Sequence, residues 1–215
     1  MRRAGLHGRL KRAARRFAAD AAGATLVEFS LVLGVFLLLV FGLLDFGRMG
    51  YTHVMAGKAT QMAARIAAVR PAACAGVPLR HDRPSSPGAN PPDFGTMCRA
   101  GGVCASVSVA CVGSTENATA VEIFNRVAAL LPPGATPANL RFRYEFDPNL
   151  GFLGGPFTPV VSVELVDMRF DFVSPLGALA TFAGASNAAG LDDGFELRAM
   201  SVSLPAEDLA HGPNQ

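Results

Sequence analysis

The chain has 215 residues, half of them hydrophobic, with no Trp, two Tyr and a formal net charge of +2. Residues 1–23 hold seven cationic side chains (Arg2, Arg3, Arg9, Lys11, Arg12, Arg15, Arg16) against Asp20, a net of +6, which leaves residues 24–215 at −4. An acidic main body argues against broad electrostatic binding of nucleic acid, and a basic run directly ahead of an apolar stretch reads as a topology signal.

No charged residue occurs from Ser30 to Leu44, and extending back to Ala24 gives 21 residues interrupted only by Glu28. At about 1.5 Å per residue such a helix matches roughly 30 Å of hydrocarbon. The uncharged run alone is 15 residues, so Glu28 falls near or inside one bilayer face. The cationic flank keeps residues 1–23 in the cytoplasm as a basic leader and exports everything after the transmembrane helix 24–44. A cleaved secretory signal has similar charged and apolar regions, but Asp45-Phe46-Gly47-Arg48-Met49 offers no small-x-small cleavage site.

Residues 45–70 continue the helix as a stalk. Met55, Ala59, Met62, Ile66 and Val69 recur at steps of four and three, a seam expected to pack on the domain's own sheet, and Pro71 closes the run. Residues 71–97 carry Pro71, Pro78, Pro84, Pro87, Pro91 and Pro92 and form a loop. Residues 98–215 then make an extracytoplasmic α+β domain. The expected elements are a strand over 103–112, a helix capped by Ser114 or Thr115 running to about Leu131, and a strand through Leu140, Phe142, Tyr144 and Phe146. A strand from Val161 to about Phe172, a short helix from Pro175 to Phe182 and a strand over 195–204 complete it. One antiparallel sheet covered by helix on one face would bury these patterns.

Cys74, Cys98, Cys104 and Cys111 suggest two disulfides in an exported domain. If 103–112 is one straight strand, Cys104 and Cys111 stand about 23 Å apart and cannot bond to each other. Cys74 and Cys98 then each cross to one of that pair, in either of two ways, and tie the loop to the sheet. Zinc is the rival reading, without a Cys-x-x-Cys pair and with only His81 nearby.

Nothing resembles a catalytic set. His7, His53, His81 and His211 are scattered, and His81-Asp82 reads as solvated loop. Gly151-Phe152-Leu153-Gly154-Gly155 lacks the lysine of a phosphate loop, and Asp167, Asp171, Asp192 and Asp193 lack calcium-loop spacing. The expectation is a non-enzyme with no cofactor and no metal.

The run Gly23-Ala24-Thr25-Leu26-Val27-Glu28-Phe29-Ser30, with its apolar span and closing Asp45-Phe46-Gly47-Arg48, resembles the amino-terminal signature of the TadE-like proteins. These are minor pilin-like components of the tight-adherence (Flp) pilus system, within the type IV pilin superfamily. The resemblance implies a pilin-like subunit in the bacterial inner membrane, with the domain in the periplasm and incorporation into an extracellular pilus. Its implied partners are a prepilin peptidase, other pilin-like subunits and the assembly machinery. The peptidase would cut after Gly23, making Ala24 the first residue and Glu28 the fifth. Glu28, Phe29, Asp45 and Arg48 are the residues implied in assembly. An ionised carboxylate near hydrocarbon needs a partner, and the freed amine of Ala24 in a neighbour is cationic at nearly the same depth. Members often carry Pro where Gly34 stands here. The alternatives are an unprocessed membrane-anchored binding module and a type II secretion pseudopilin; the Asp45–Arg48 element favours the tight-adherence group.

Overall fold

The computed structural model describes residues 21–86, 88, 90–182, 184–186, 194–207 and 209. Most of the basic leader, together with His7, Asp192, Asp193 and His211, lies outside the described residues. The chain forms two compact units, Met1–Arg48 with Asp171–Gly194, and Met49–Phe170 with Phe195–Gln215. Helix α1 (Ala21–Val69) contributes its first part to one and its second part to the other.

The larger unit is built on a four-stranded antiparallel sheet of β1 (Ser108–Val112), β2 (Leu140–Glu145), β3 (Val160–Leu165) and β6 (Met200–Pro205), in the order β1-β2-β3-β6. Helix α2 (Ala118–Val127) follows β1. A separate two-stranded ladder joins β4 (Arg169–Phe170) to β5 (Phe195–Glu196), and helix α3 (Leu176–Phe182) belongs to the smaller unit. The expected α+β class, a long amino-terminal helix followed by an antiparallel sheet with packed helices, is the one observed.

Strict alternation makes the sheet two-faced. Leu140, Phe142 and Tyr144 are fully buried, and Phe142 stands opposite Val163, which in turn faces Val202. The other face is polar: Arg141 pairs with Glu164 at 3.5 Å, and the Ser162 and Ser203 hydroxyls meet across strands at 2.6 Å.

The helix that covers the inner face uses only part of the expected seam, at Ala59, which is fully buried, and Ile66, which packs half-buried against the core. Met62 and Val69 remain 43% and 46% exposed, whereas Ala56, Ala59, Thr60, Ala63, Ala64, Ala67 and Ala68 are buried. These recur at helical spacing one position round from the bulky residues, so methyl groups rather than long side chains meet the sheet. Thr60 can join them because its hydroxyl donates to the Ala56 carbonyl at 2.9 Å. Just past the helix, the Ala73 N–H donates to the Tyr144 hydroxyl at 2.9 Å.

Several boundaries differ from expectation for local reasons. The strand expected over 103–112 is regular only from Ser108. The strand expected to reach Phe172 stops at Leu165, and Asp167 then adopts φ 53°, in the left-handed region, before β4 pairs elsewhere. The strand expected over 195–204 divides into β5 and β6. Helix α2 is capped by Asn117, whose side chain accepts from the Ala120 N–H at 2.9 Å, while the Ser114 hydroxyl accepts from the Glu116 N–H. Its buried face is Ala120, Ile123 and Val127, with Val121 and Phe124 only half-buried.

The disulfides are Cys74–Cys111 and Cys98–Cys104, one of the two crossings expected. Only the first reaches a strand. The second closes a separation of 6 residues in a small second core with Val103 and Leu153, since Cys104 precedes β1.

Two outcomes follow for stability. Ala63→Leu should cost about 1–3 kcal/mol by overpacking, while Met62→Ala stays within about 0.5 kcal/mol, both read by denaturant unfolding of the solubilised protein. Non-reducing peptide mapping should recover the two bonds above. Replacing Cys74 and Cys111 together should then destabilise by about 4 kcal/mol, against about 2 for the short-loop pair.

Candidate functional site

The first part of α1 presents its apolar side chains outward. Leu26, Val27, Phe29, Leu31, Val32, Phe36, Leu39, Leu43 and Leu44 are all more than half exposed. Only 6% of its most apolar 18-residue window, of mean hydropathy 2.6, is buried, so this helix is long and apolar enough to cross a membrane. Water is the wrong solvent for such a surface; lipid or other apolar helices must cover it.

At the amino-terminal end, Gly23 lies within the helix, exposed, and a Cβ there would meet no heavy atom within 4 Å. Nothing in the described fold therefore requires glycine at this position. Ala24 follows within the helix. Glu28 is exposed and its side chain makes no hydrogen bond or ion pair with another described residue, and Phe29 beside it is 63% exposed.

The other end is arranged differently. The Asp45 side chain is 2% exposed and accepts from Arg48 at 3.0 Å, from the Ser174 N–H at 3.0 Å and, more weakly, from the Val173 N–H at 3.4 Å. Phe46 meets Phe172 edge-on at 6.0 Å between ring centroids. The Asp45-Phe46-Gly47-Arg48 element thus holds residues 172–174 of the same unit. One strand of sequence signal was missing here: Asp45 and Ser174 are separated by 129 positions, and no local pattern links them. Gly34, at the usual proline place, is buried in an unbroken helix because Phe182 lies over it; a Cβ would come within 2.6 Å of that ring.

The remaining polar residues build structure. His81, read from the sequence as solvated loop, is 2% exposed. Its Nε2 accepts from the Thr158 N–H at 3.2 Å and lies 3.1 Å from the Thr158 hydroxyl, with the ring against Phe157 and Phe146. Burial lowers its pKa below the usual histidine value, partly opposed by Asp82. His81 gathers with Cys98 and Cys104 within 4.8 Å, but both sulfurs are spent in the disulfide, and metal ligation needs thiolate. The glycine run 151–155 clamps the proline-rich loop through backbone bonds: His81 N–H to Gly155 O, Gly154 N–H to His81 O, and Leu153 N–H to Thr96 O. Gly151 has φ 77°, and a Cβ on it would collide with the His81 ring.

An apolar amino-terminal helix continuous with the helix that covers a small antiparallel sheet is a pilin-like architecture. Within that class, the model of the family described as TadE-like protein matches residues 23–65. The resemblance read from Gly23 to Arg48 is therefore shown, and the match carries it into the stalk as far as Arg65. It relates the chain to the minor pilin-like components of the tight-adherence pilus. No curated protein and no solved structure matches the chain.

The Asp45 clamp has a measurable consequence. Asp45→Asn removes the charge that accepts from Ser174 and Arg48 and should cost about 1–3 kcal/mol locally. Gly34→Val should loosen the same region by displacing Phe182. Hydrogen exchange should rise over residues 173–182 in both variants and stay unchanged in β2 and β3; unchanged exchange at 173–182 would show that the clamp does not hold this segment.

Proposed function

We propose that the chain is a minor pilin-like subunit of a Flp-type tight-adherence pilus, inserted in the bacterial inner membrane with its domain in the periplasm and processed there by a prepilin peptidase. It catalyses no reaction and needs no cofactor; its work is insertion, loss of the leader and lateral packing of the apolar helix. The observation that carries this reading is the coincidence, inside the TadE-like match, of an exposed helical Gly23 and, five places on, a Glu28 side chain, neither with a partner among the described residues, at the head of an outward-facing apolar helix.

Removing residues 1–23 takes away a charge of +6 that anchors the helix at the anionic cytoplasmic headgroups. The Ala24 amine so freed is a partner for Glu28 of a neighbour, and in a low-dielectric bundle that pair is worth more than in water. Phe29 packs beside it.

Mass spectrometry of the membrane-purified protein should find Ala24 as the amino terminus. Gly23→Val should give a full-length, inserted and unprocessed protein. Glu28→Gln should be inserted and cut but should fail to co-purify with the other pilus components. If the wild type keeps residues 1–23 in cells with an active prepilin peptidase, the unprocessed membrane-anchored module becomes the correct reading.

A further inference from the structure

We propose that residues 172–182, closed by the turn at 184–185, form a second membrane-seated element, a short helix lying in lipid against the spanning helix. The inference rests on α1 crossing the bilayer, and it concerns a segment far from the TadE-like match.

Depth is the first argument. Ser174 is held at the level of Asp45, just beyond the apolar run, while Phe182 covers Gly34. Those two anchor points on α1 are eleven residues apart, about 16 Å along the axis at standard rise. The hydrocarbon is about 30 Å thick. Helix α3 therefore descends alongside α1 to about the middle of the span.

The outward face is the second argument. A helix that shields an apolar surface from water presents polar side chains on its far side. Leu176 and Ala180 are buried here, yet the outward positions are Val173 at 75% exposure, Pro175, Ala178, Thr181 and Phe182 at 59%. In the sequence no charged residue occurs between Asp171 and Asp192.

The third argument is polar satisfaction, which lipid demands of any backbone it contacts. Asp45 receives the N–H groups of Val173 and Ser174, and the Leu179 N–H reaches the Pro175 carbonyl. The Thr181 hydroxyl donates to the Gly177 carbonyl at 2.8 Å. At the far end the Gly184 N–H reaches Thr181 O and the Ala185 N–H reaches Ala180 O, with Gly184 at φ 97°. This is the double closure that satisfies the last carbonyls of a helix.

The chain contains no Trp, so single tryptophans report position without background. The full-length protein would be reconstituted in phosphatidylcholine vesicles as four variants: Phe182→Trp, Val173→Trp, Phe36→Trp in the span and Phe94→Trp in the exposed proline-rich loop. Lipids brominated at shallow or deep acyl positions would serve as quenchers. Phe182→Trp should emit to the blue and be quenched by deep bromines as Phe36→Trp is, with Val173→Trp quenched mainly by shallow ones. The proposal is overturned if Phe182→Trp and Val173→Trp behave like Phe94→Trp while Phe36→Trp is quenched. It is equally overturned, in favour of a second copy covering the face, if Phe182→Trp is blue-shifted, insensitive to bromine and shifts red as the protein is diluted in lipid. An unquenched Phe36→Trp would instead remove the spanning helix itself.

Discussion

Seven small side chains between Ala56 and Ala68 set the distance at which α1 lies on the sheet, and the rest of the larger unit follows from that distance. With methyl groups on the helix, the bulk of the core has to come from β2 and the segment leading into β3, where Phe142, Tyr144 and Phe157 are at most 1% exposed. Each such ring is worth about 1.5–3 kcal/mol in burial. Tyr144 can be this deep because its hydroxyl takes the N–H of Ala73, the first buried backbone past the helix end. Burial raises its pKa, opposed in part by that same bond. The neighbouring Cys74 is bonded to Cys111 in β1. The helix end is therefore fixed by packing, a hydrogen bond and a covalent bond within five residues.

The proline-rich segment solves a different problem. A loop of this length has no ladder of its own, so its backbone groups must find partners elsewhere. It finds them on the glycine run 151–155, where close approach demands the missing Cβ of Gly151, and His81 fills the space between the two segments. Arg83 donates to the Pro92 carbonyl at 2.9 Å and lies 4.6 Å from the Phe94 ring centroid, closing the loop on itself. Glycine spacing that could have suggested a ligand cradle is here a docking strip for the chain's own backbone.

What could be read from the sequence was whatever repeats locally. The apolar run, the alternation of Leu140, Phe142 and Tyr144, and the stop at Pro71 each depend on neighbours in sequence, and all three appear in place. The helix seam was right at Ala59 and Ile66 and wrong at Met62 and Val69, because periodicity of large side chains gives one phase whereas the sheet selects the adjacent alanine phase. Asn117 displaced Ser114 as the cap because four consecutive polar residues, Ser114 to Asn117, offer several caps and tertiary fit chooses among them. The disulfide pairing stayed two-fold because it depends on where 98–104 turns, and the straight strand failed at Cys104 although its conclusion, that Cys104 and Cys111 do not bond to each other, holds. Asp45 was legible as a motif residue but not as a buried acceptor, since its two backbone donors, Val173 and Ser174, come from the far side of the sequence.

The two acidic residues bracketing the apolar run are consequently unlike each other. The buried Asp45 carboxylate lies where desolvation is costly and must be met by donors or by a cation, and the proposed membrane span would make the same demand of Glu28. Asp45 is met entirely within the chain, by Arg48 and by two backbone N–H groups, in a site that leaves it 2% exposed. Glu28 meets no partner among the described residues, although it opens a helix whose next fifteen positions from Ser30 carry no charge. Along that stretch a neighbouring helix can be recognised only by shape, because apolar side chains discriminate weakly between partners and lipid. On the proposed pilin-like reading, the charged group left among the described residues of this end for aligning a neighbour is Glu28, while the opposite end has spent its charge on holding its own chain together.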